Sequence, residues 1–286
     1  MAALLALLSA LVWGVGDFAG GFASRRSTAM QTLVITTPAG FLAVLPVALL
    51  MGGDAAGSVL PAVAAGLAGG IGILLLYAAL SIGPMGVLSP MSAVLAAAIP
   101  VVAGLLRGER PGLWAFVGMA LAVVAIVTVG LEPAAPTDDA RHQRVGSRAL
   151  LLGIGAGVGI GLYLTFVAFA PRDAGLYPAL FARATSSGML VTLGVGYGLA
   201  RGVPVLPPER VVRGQAAAAG VLDIAANALY VLATHSGLLS VVAVLGALYP
   251  AATVLLARVV LAERLRPAQS FGMATALVAS ALLALG

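Results

Sequence analysis

Long apolar runs that carry almost no charge dominate this chain. Ten runs can be placed, each roughly 18–25 residues long, close to the ~20 residues that a helix needs to cross a bilayer. They cover residues 2–23, 30–51, 60–82, 85–106, 112–131, 148–170, 177–200, 212–234, 236–260 and 268–285. Because a spanning segment must satisfy its backbone polar groups internally, these runs favour helices. The sequence therefore predicts an all-α integral membrane protein with ten transmembrane helices.

Composition supports this class and argues against others. Hydrophobic residues make up 61% of the chain and charged residues 9%, against about 25% charged in soluble domains. The net charge of +5 indicates basic loops that fix membrane topology, and we expect no nucleic-acid partner. There is no cysteine and no Walker A sequence, so we expect no cofactor and no ATP-driven step. The expected partners are a small-molecule solute and the lipid bilayer of the cell membrane, and we expect a multi-pass monomer.

The chain repeats itself at an offset of 154 residues. Glu109-Arg110 returns as Glu263-Arg264, and the Gly-Met-Ala run at 118–120 returns at 272–274. The repeat predicts a five-helix half over 1–131, a polar linker over 132–147 and a second half over 148–286. Five is an odd number, so the second half must enter the bilayer from the opposite side. Inverted repeats are common in secondary transporters, whose substrate sites lie near the midplane between the repeats.

These features carry a resemblance to a known family. Trp13-Gly14 in the first run, the ten runs and the two Glu-Arg endings resemble the EamA-type, ten-helix branch of the drug/metabolite transporter superfamily. The second copy is the more similar, with Pro250 thirteen residues before Glu263; the first copy has Ala96 at the equivalent position. The resemblance implies export of amino acids, metabolites or drugs without ATP. It also implies cytoplasmic termini, whereas most loop arginines lie opposite the termini and predict termini outside.

Asp17, Arg183 and Asp223 place charges inside predicted spans, and such residues are functional candidates by default. Arg183 and Asp223 lie at similar depths on neighbouring helices, so they could form a structural ion pair, contact the substrate, or do both. Asp17 could carry a proton during transport, because apolar surroundings raise a carboxyl pKa, or it could stay solvated near the headgroups.

Further polar and aromatic candidates lie on several helices. Asp223, Asn227 and Tyr230 fall at i, i+4 and i+7 and share one helical face. Three more side chains offer hydrogen bonds or aromatic faces to a cavity: Trp13, Tyr77 and Tyr163. Pro250 removes a backbone hydrogen bond, so it predicts a hinge in the ninth helix.

The sequence thus predicts an alternating-access exporter of small organic solutes, with a midplane cavity lined by helices 1, 3, 6, 7 and 8. In it, Arg183 would attract an anionic group. A passive channel is the main alternative. An intramembrane enzyme is not expected, since its only candidate nucleophile and base, Ser236 and His235, are adjacent in a hairpin turn.

Overall fold

The computed structural model describes residues 1–24, 26–82, 85–129, 147–249, 251–252 and 267–285. These residues form ten helices and no strand. The helices are α1 (Ala2–Ser24), α2 (Ala29–Met51), α3 (Ala55–Ile82), α4 (Met85–Leu106), α5 (Leu113–Val129), α6 (Ser147–Ala168), α7 (Tyr177–Arg201), α8 (Arg210–Ser236), α9 (Leu239–Gly246) and α10 (Pro267–Leu285). The all-α fold predicted from the sequence is confirmed.

The surface is apolar while several polar side chains are buried, the reverse of a soluble protein. Leu50, Leu106 and Leu199 are among the large apolar side chains that face outward, whereas Ser9, Thr32 and Asn227 are buried. Four helices are long and apolar enough to cross a bilayer by length and composition: α2, residues 55–76 of α3, α6 and α8. Shorter apolar stretches lie in α1, α4, α5 and α10. An apolar exterior on an all-helical bundle defines an integral membrane protein.

Helix contacts repeat when the first five helices are exchanged for the last five. The contact of α3 with α6 is matched by α8 with α1, and the contact of α2 with α8 by α7 with α3. The pairs α2–α7, α4–α9 and α5–α10 each map onto themselves, so they lie on the pseudo-two-fold axis. The two five-helix repeats are therefore interleaved.

Local chemistry accounts for several helix ends. Helix α3 begins five residues earlier than the apolar run because Asp54 accepts a hydrogen bond from the backbone of Gly57 (2.9 Å). A capping box between Thr28 and Gln31 starts α2. Only two residues separate the end of α8 at Ser236 from the start of α9 at Leu239, which confirms the predicted tight hairpin.

Helix α9 is much shorter than its apolar run. The sequence predicts a helix over 236–260; α9 ends at Gly246, a turn follows in which the Leu248 amide donates to the Leu245 carbonyl (3.2 Å), and the backbone is helical again at 249 and 251–252, beyond which the run lies outside the described residues. This tighter hydrogen bond precedes Pro250, which cannot donate one. Pro250 itself, the Glu263-Arg264 ending, the Gly83-Pro84 turn and the linker up to residue 146 lie outside the described residues.

Candidate functional site

A cavity of about 150 Å³ lies between the two repeats. Since one water needs at least about 10–15 Å³ of such space, the cavity can hold on the order of ten water molecules, which is enough for a small organic solute. Helices α1, α3, α6, α7 and α8 line it, as the sequence predicts, and α2, α4 and α9 contribute as well. Asp223 and Asn227 lie in the middle third of α8. The cavity is thus near mid-depth and contains polar groups from both repeats.

An ion pair crosses one wall of the cavity. A terminal nitrogen of the Arg183 guanidinium, on α7, donates to a carboxylate oxygen of Asp223, on α8. The Arg183 side chain is 11% exposed and that of Asp223 is 33% exposed, so both keep a surface toward the cavity. The attraction between the opposite charges offsets the free-energy cost of removing each from water, and both side chains remain accessible to a solute.

A hydrogen-bonded chain extends this pair to α6. The Tyr163 hydroxyl donates to Asn227 Oδ1 (2.5 Å), and Asn227 Nδ2 donates to the Asp223 backbone carbonyl (2.7 Å). The Tyr163 ring lies over Gly69 of α3, where an added Cβ would be 2.8 Å from Tyr163 Cδ2. Three helices of the second repeat therefore share one polar network, and a glycine of the first repeat leaves room for its aromatic member.

Close packing of α2 on α8 allows Arg183 to reach Asp223. A Cβ on Gly40 would lie 2.9 Å from the Gly220 carbonyl oxygen and 3.4 Å from Arg183 Nε. The Thr36 hydroxyl also donates to the Ala216 carbonyl across this contact (3.1 Å). The guanidinium thus passes beside a helix crossing that only small residues permit.

Two aromatic candidates meet behind the polar network. The rings of Trp13 and Tyr230 are 5.7 Å apart between centroids and tilted by 43°. Trp13 is half-buried and lines the cavity, whereas Tyr230 is fully buried and does not. The Tyr230 hydroxyl has no hydrogen-bond partner among the described residues. The side chain of Tyr230 therefore supports the tryptophan from behind.

Several predicted site residues cannot be placed at the cavity. The side chains of Asp17 and Tyr77, and Pro250 as a whole, lie outside the described part of the chain. Among the described residues, no group of three or more His, Cys, Asp or Glu side chains could hold a metal ion.

Sequence reasoning missed part of the lining. Thr36, Thr37, Ala93, Gly246 and Ala247 also face the cavity. Small and singly hydroxylated residues give no signal of their own in a chain rich in alanine and glycine. The sequence repeat does give a signal for such residues, because Ala93 and Ala247 are equivalent at the 154-residue offset and both line the cavity.

An apolar helical bundle of two interleaved, inverted repeats, with a cavity between them that contains polar groups, is the architecture of secondary membrane transporters. Residues 1–131 and 147–285 match the model of the EamA-like transporter family, and the chain belongs to this family. A solved structure titled only as the crystal structure of a protein has the same fold, with a TM-score of 0.77 at 17% identity over 99% of this chain and 96% of the other. No curated protein matches the sequence.

Proposed function

We propose that this protein is a secondary transporter that exports small organic solutes, such as metabolites, amino-acid-like compounds or drugs, without ATP. The solute would bind in the cavity between the repeats, and the protein would expose that cavity to one membrane face at a time. The observation that carries this proposal is the cavity itself, since it joins the two repeats at mid-depth and contains a partly exposed ion pair. Membership in a family of transporters supports the same function.

The chemistry of the cavity suggests how a solute would bind. The guanidinium of Arg183 has five N–H donors, and Asp223 engages one nitrogen, so further donors can bind an anionic group such as a carboxylate. The partly exposed carboxylate of Asp223 can accept from a cationic or hydroxyl group. Trp13 and Tyr163 offer aromatic faces to the apolar part of the solute.

Three further residues have proposed roles in the cycle. Asn227 holds the Tyr163 hydroxyl toward the polar network, so it would position that side chain for binding. Asp17 would carry a proton, and Asp17→Asn should then change the pH dependence of transport. Pro250 would act as the hinge of the ninth helix, because its ring leaves a backbone carbonyl without a helical partner.

Solute binding can be tested through the fluorescence of Trp13. The chain has two tryptophans, and Trp114 is 59% exposed on α5, far from the cavity lining. Trp114→Phe therefore leaves Trp13 as the only indole. We expect phenylacetate, which has a carboxylate alone, or phenylalanine, which adds an ammonium group, to shift this emission saturably. The same probes should enter vesicles containing the purified protein down their gradients without ATP, with saturating rates.

Asn227→Leu should weaken binding and slow transport, because leucine suits the bilayer but cannot receive the Tyr163 hydrogen bond. Thr128→Val is a matched control, since Thr128 bonds only within α5 and does not line the cavity. Flux that rises linearly to the solubility limit of the probe and ignores Asn227→Leu would indicate a channel and contradict the carrier mechanism.

A further inference from the structure

Helix α9 lies between the cavity and the face of the membrane on which α1 begins and α10 ends, here called the termini face. All eight residues of α9 are buried, although the helix begins at that face. Helices α1, α4, α5 and α8 contact it. Its last residue, Gly246, lines the cavity. The first turns of α9 therefore lie between the cavity and the termini face. We call this segment, which begins at Leu239, the α9 plug.

Glu109, in the connection between α4 and α5, holds the start of this plug. Its Oε1 accepts a hydrogen bond from the Leu239 amide (2.6 Å). Its Oε2 accepts two more, from the Ser240 amide (3.0 Å) and the Ser240 hydroxyl (2.7 Å). A carboxylate at a helix N-terminus satisfies amides that have no helical partner and interacts favourably with the helix dipole.

This contact joins the two repeats, since Glu109 and Ser240 are 131 residues apart in sequence. Glycine at position 104 is needed for it, because a Cβ there would collide with the Glu109 carboxylate. A second contact in the same connection places the Arg107 guanidinium over the Phe169 ring, 3.8 Å from its centroid. The α4–α5 connection thus fastens both α9 and the end of α6 at the termini face.

We propose that Glu109 is a latch that holds the α9 plug closed at the termini face, so that the cavity opens to this face only when the carboxylate releases Leu239 and Ser240. Glu109 is then a positioning residue for the transport cycle. This inference rests on the proposed alternating access. The sequence offers one sign of it, because the Glu-Arg ending marks both repeats, yet Glu109 and Arg110 do not line the cavity.

The latch can be tested by cysteine labelling, which needs no solute. The chain has no cysteine, so Ser186→Cys places a single thiol of similar size in the cavity wall. A membrane-impermeant maleimide applied at the termini face should label this thiol slowly when Glu109 is present. Glu109→Gln in the same background removes the charge and one acceptor. We expect labelling from the termini face to accelerate on the order of tenfold, the factor that corresponds to about 1.4 kcal/mol.

Asp54→Asn is the matched control. The Asp54 carboxylate also accepts from a helix N-terminus at the termini face, but from the Gly57 amide at the start of α3 and not from α9. Labelling that accelerates equally in both variants, or that stays unchanged in folded Glu109→Gln, would overturn the latch and leave Glu109 as a helix cap alone. Fast labelling in the Ser186→Cys parent would overturn it too, because the plug would not seal the cavity.

If Glu109→Gln fails to fold, Ser240→Ala tests the latch instead, since it removes only the hydrogen bond from the Ser240 hydroxyl to Glu109 (2.7 Å). A smaller acceleration of the same sign supports the latch, and no acceleration contradicts it. The labelling result is separate from the proposed function. A protein that transports none of the probes can still show the latch, and a working transporter can lack it.

Discussion

Ser92 on α4 and Gly246 on α9 are equivalent at the 154-residue offset, yet their surroundings differ. The Ser92 hydroxyl donates to the Gly153 carbonyl on α6 (2.9 Å), and Gly157 of α6 approaches so closely that a Cβ there would be 2.8 Å from the Ser92 carbonyl oxygen. Around Gly246 the nearest side chains are two aromatic rings: an added Cβ would be 3.4 Å from Cζ3 of Trp13 on α1 and 3.5 Å from Cδ2 of Tyr230 on α8. The α4–α6 contact is a close glycine packing, here called the closed side. In the α1–α9 contact an indole lies between the helices, and this contact is called the open side.

The difference shows how a symmetric pair of repeats makes an asymmetric cavity. On the α4–α6 side, Gly157 and Gly161 let the backbones approach closely, since a Cβ there would be 2.8 Å from the Ser92 carbonyl oxygen and 3.1 Å from that of Ala96. On the α1–α9 side, Trp13 keeps the helices apart and contributes to the cavity wall. The polar contacts of Arg183, Asp223 and Asn227 lie elsewhere, within the second repeat, where the ion pair joins α7 to α8 and Asn227 bonds the α8 backbone.

Adding one methyl group on the closed α4–α6 side should destabilise the protein. Gly157→Ala places a Cβ 2.7 Å from Leu95 Cβ and 2.8 Å from the Ser92 carbonyl oxygen, so α4 and α6 must move apart. Overpacking of this kind costs about 1–3 kcal/mol. We expect a lower unfolding temperature and less monodisperse protein in detergent.

Gly246→Ala makes the same chemical change on the open side. Its nearest contact would be 3.4 Å, with the edge of a half-buried indole, and alanine favours helix over glycine by about 1 kcal/mol. The unfolding temperature should therefore stay the same or rise. Equal losses in the two alanine variants would mean that the two sides are packed alike and that the comparison is wrong.

Removing the ion pair tests whether it holds α7 to α8. Arg183→Ala leaves the Asp223 carboxylate unpaired at mid-depth, which costs about 3–5 kcal/mol when a buried pair is broken. We expect folded yield, measured by size-exclusion chromatography, and transport to fall together. The double variant Arg183→Asp, Asp223→Arg should recover part of the yield. If Arg183→Ala assembles normally and only transport is lost, Arg183 contacts the solute and does not tie α7 to α8.

Much of this architecture is predictable from the sequence, because a bilayer allows few structures. Long apolar runs must be helices, and the repeated Glu-Arg ending indicates two halves of five. The Arg183–Asp223 pair follows from depth, since unpaired charges are costly at the middle of a span. Asn227 is recognisable for the same reason, as a lone amide on an apolar helix face.

The remaining features depend on distances that no periodicity encodes. Tyr230 shares a helical face with Asn227 but lies behind Trp13, because α9 covers that turn of α8. The role of Glu109 at α9 requires a contact over 130 residues. The closed α4–α6 side and the open α1–α9 side come from similar small-residue patterns, and only packing separates them.

The smallest expected effect concerns the Ser92 hydroxyl. Ser92→Ala removes its bond to Gly153 but leaves the glycine packing of α4 on α6 intact. Side-chain hydrogen bonds between membrane helices contribute about 0.6 kcal/mol on average, so the unfolding temperature should fall only slightly. Ser9→Ala is a matched control at another contact between the repeats, because the buried Ser9 hydroxyl donates to the Ala226 carbonyl between α1 and α8 (2.7 Å). Similar small losses would support glycine packing as the main contribution at α4–α6. A loss from Ser92→Ala as large as that from Gly157→Ala would assign the closed side to the hydrogen bond instead.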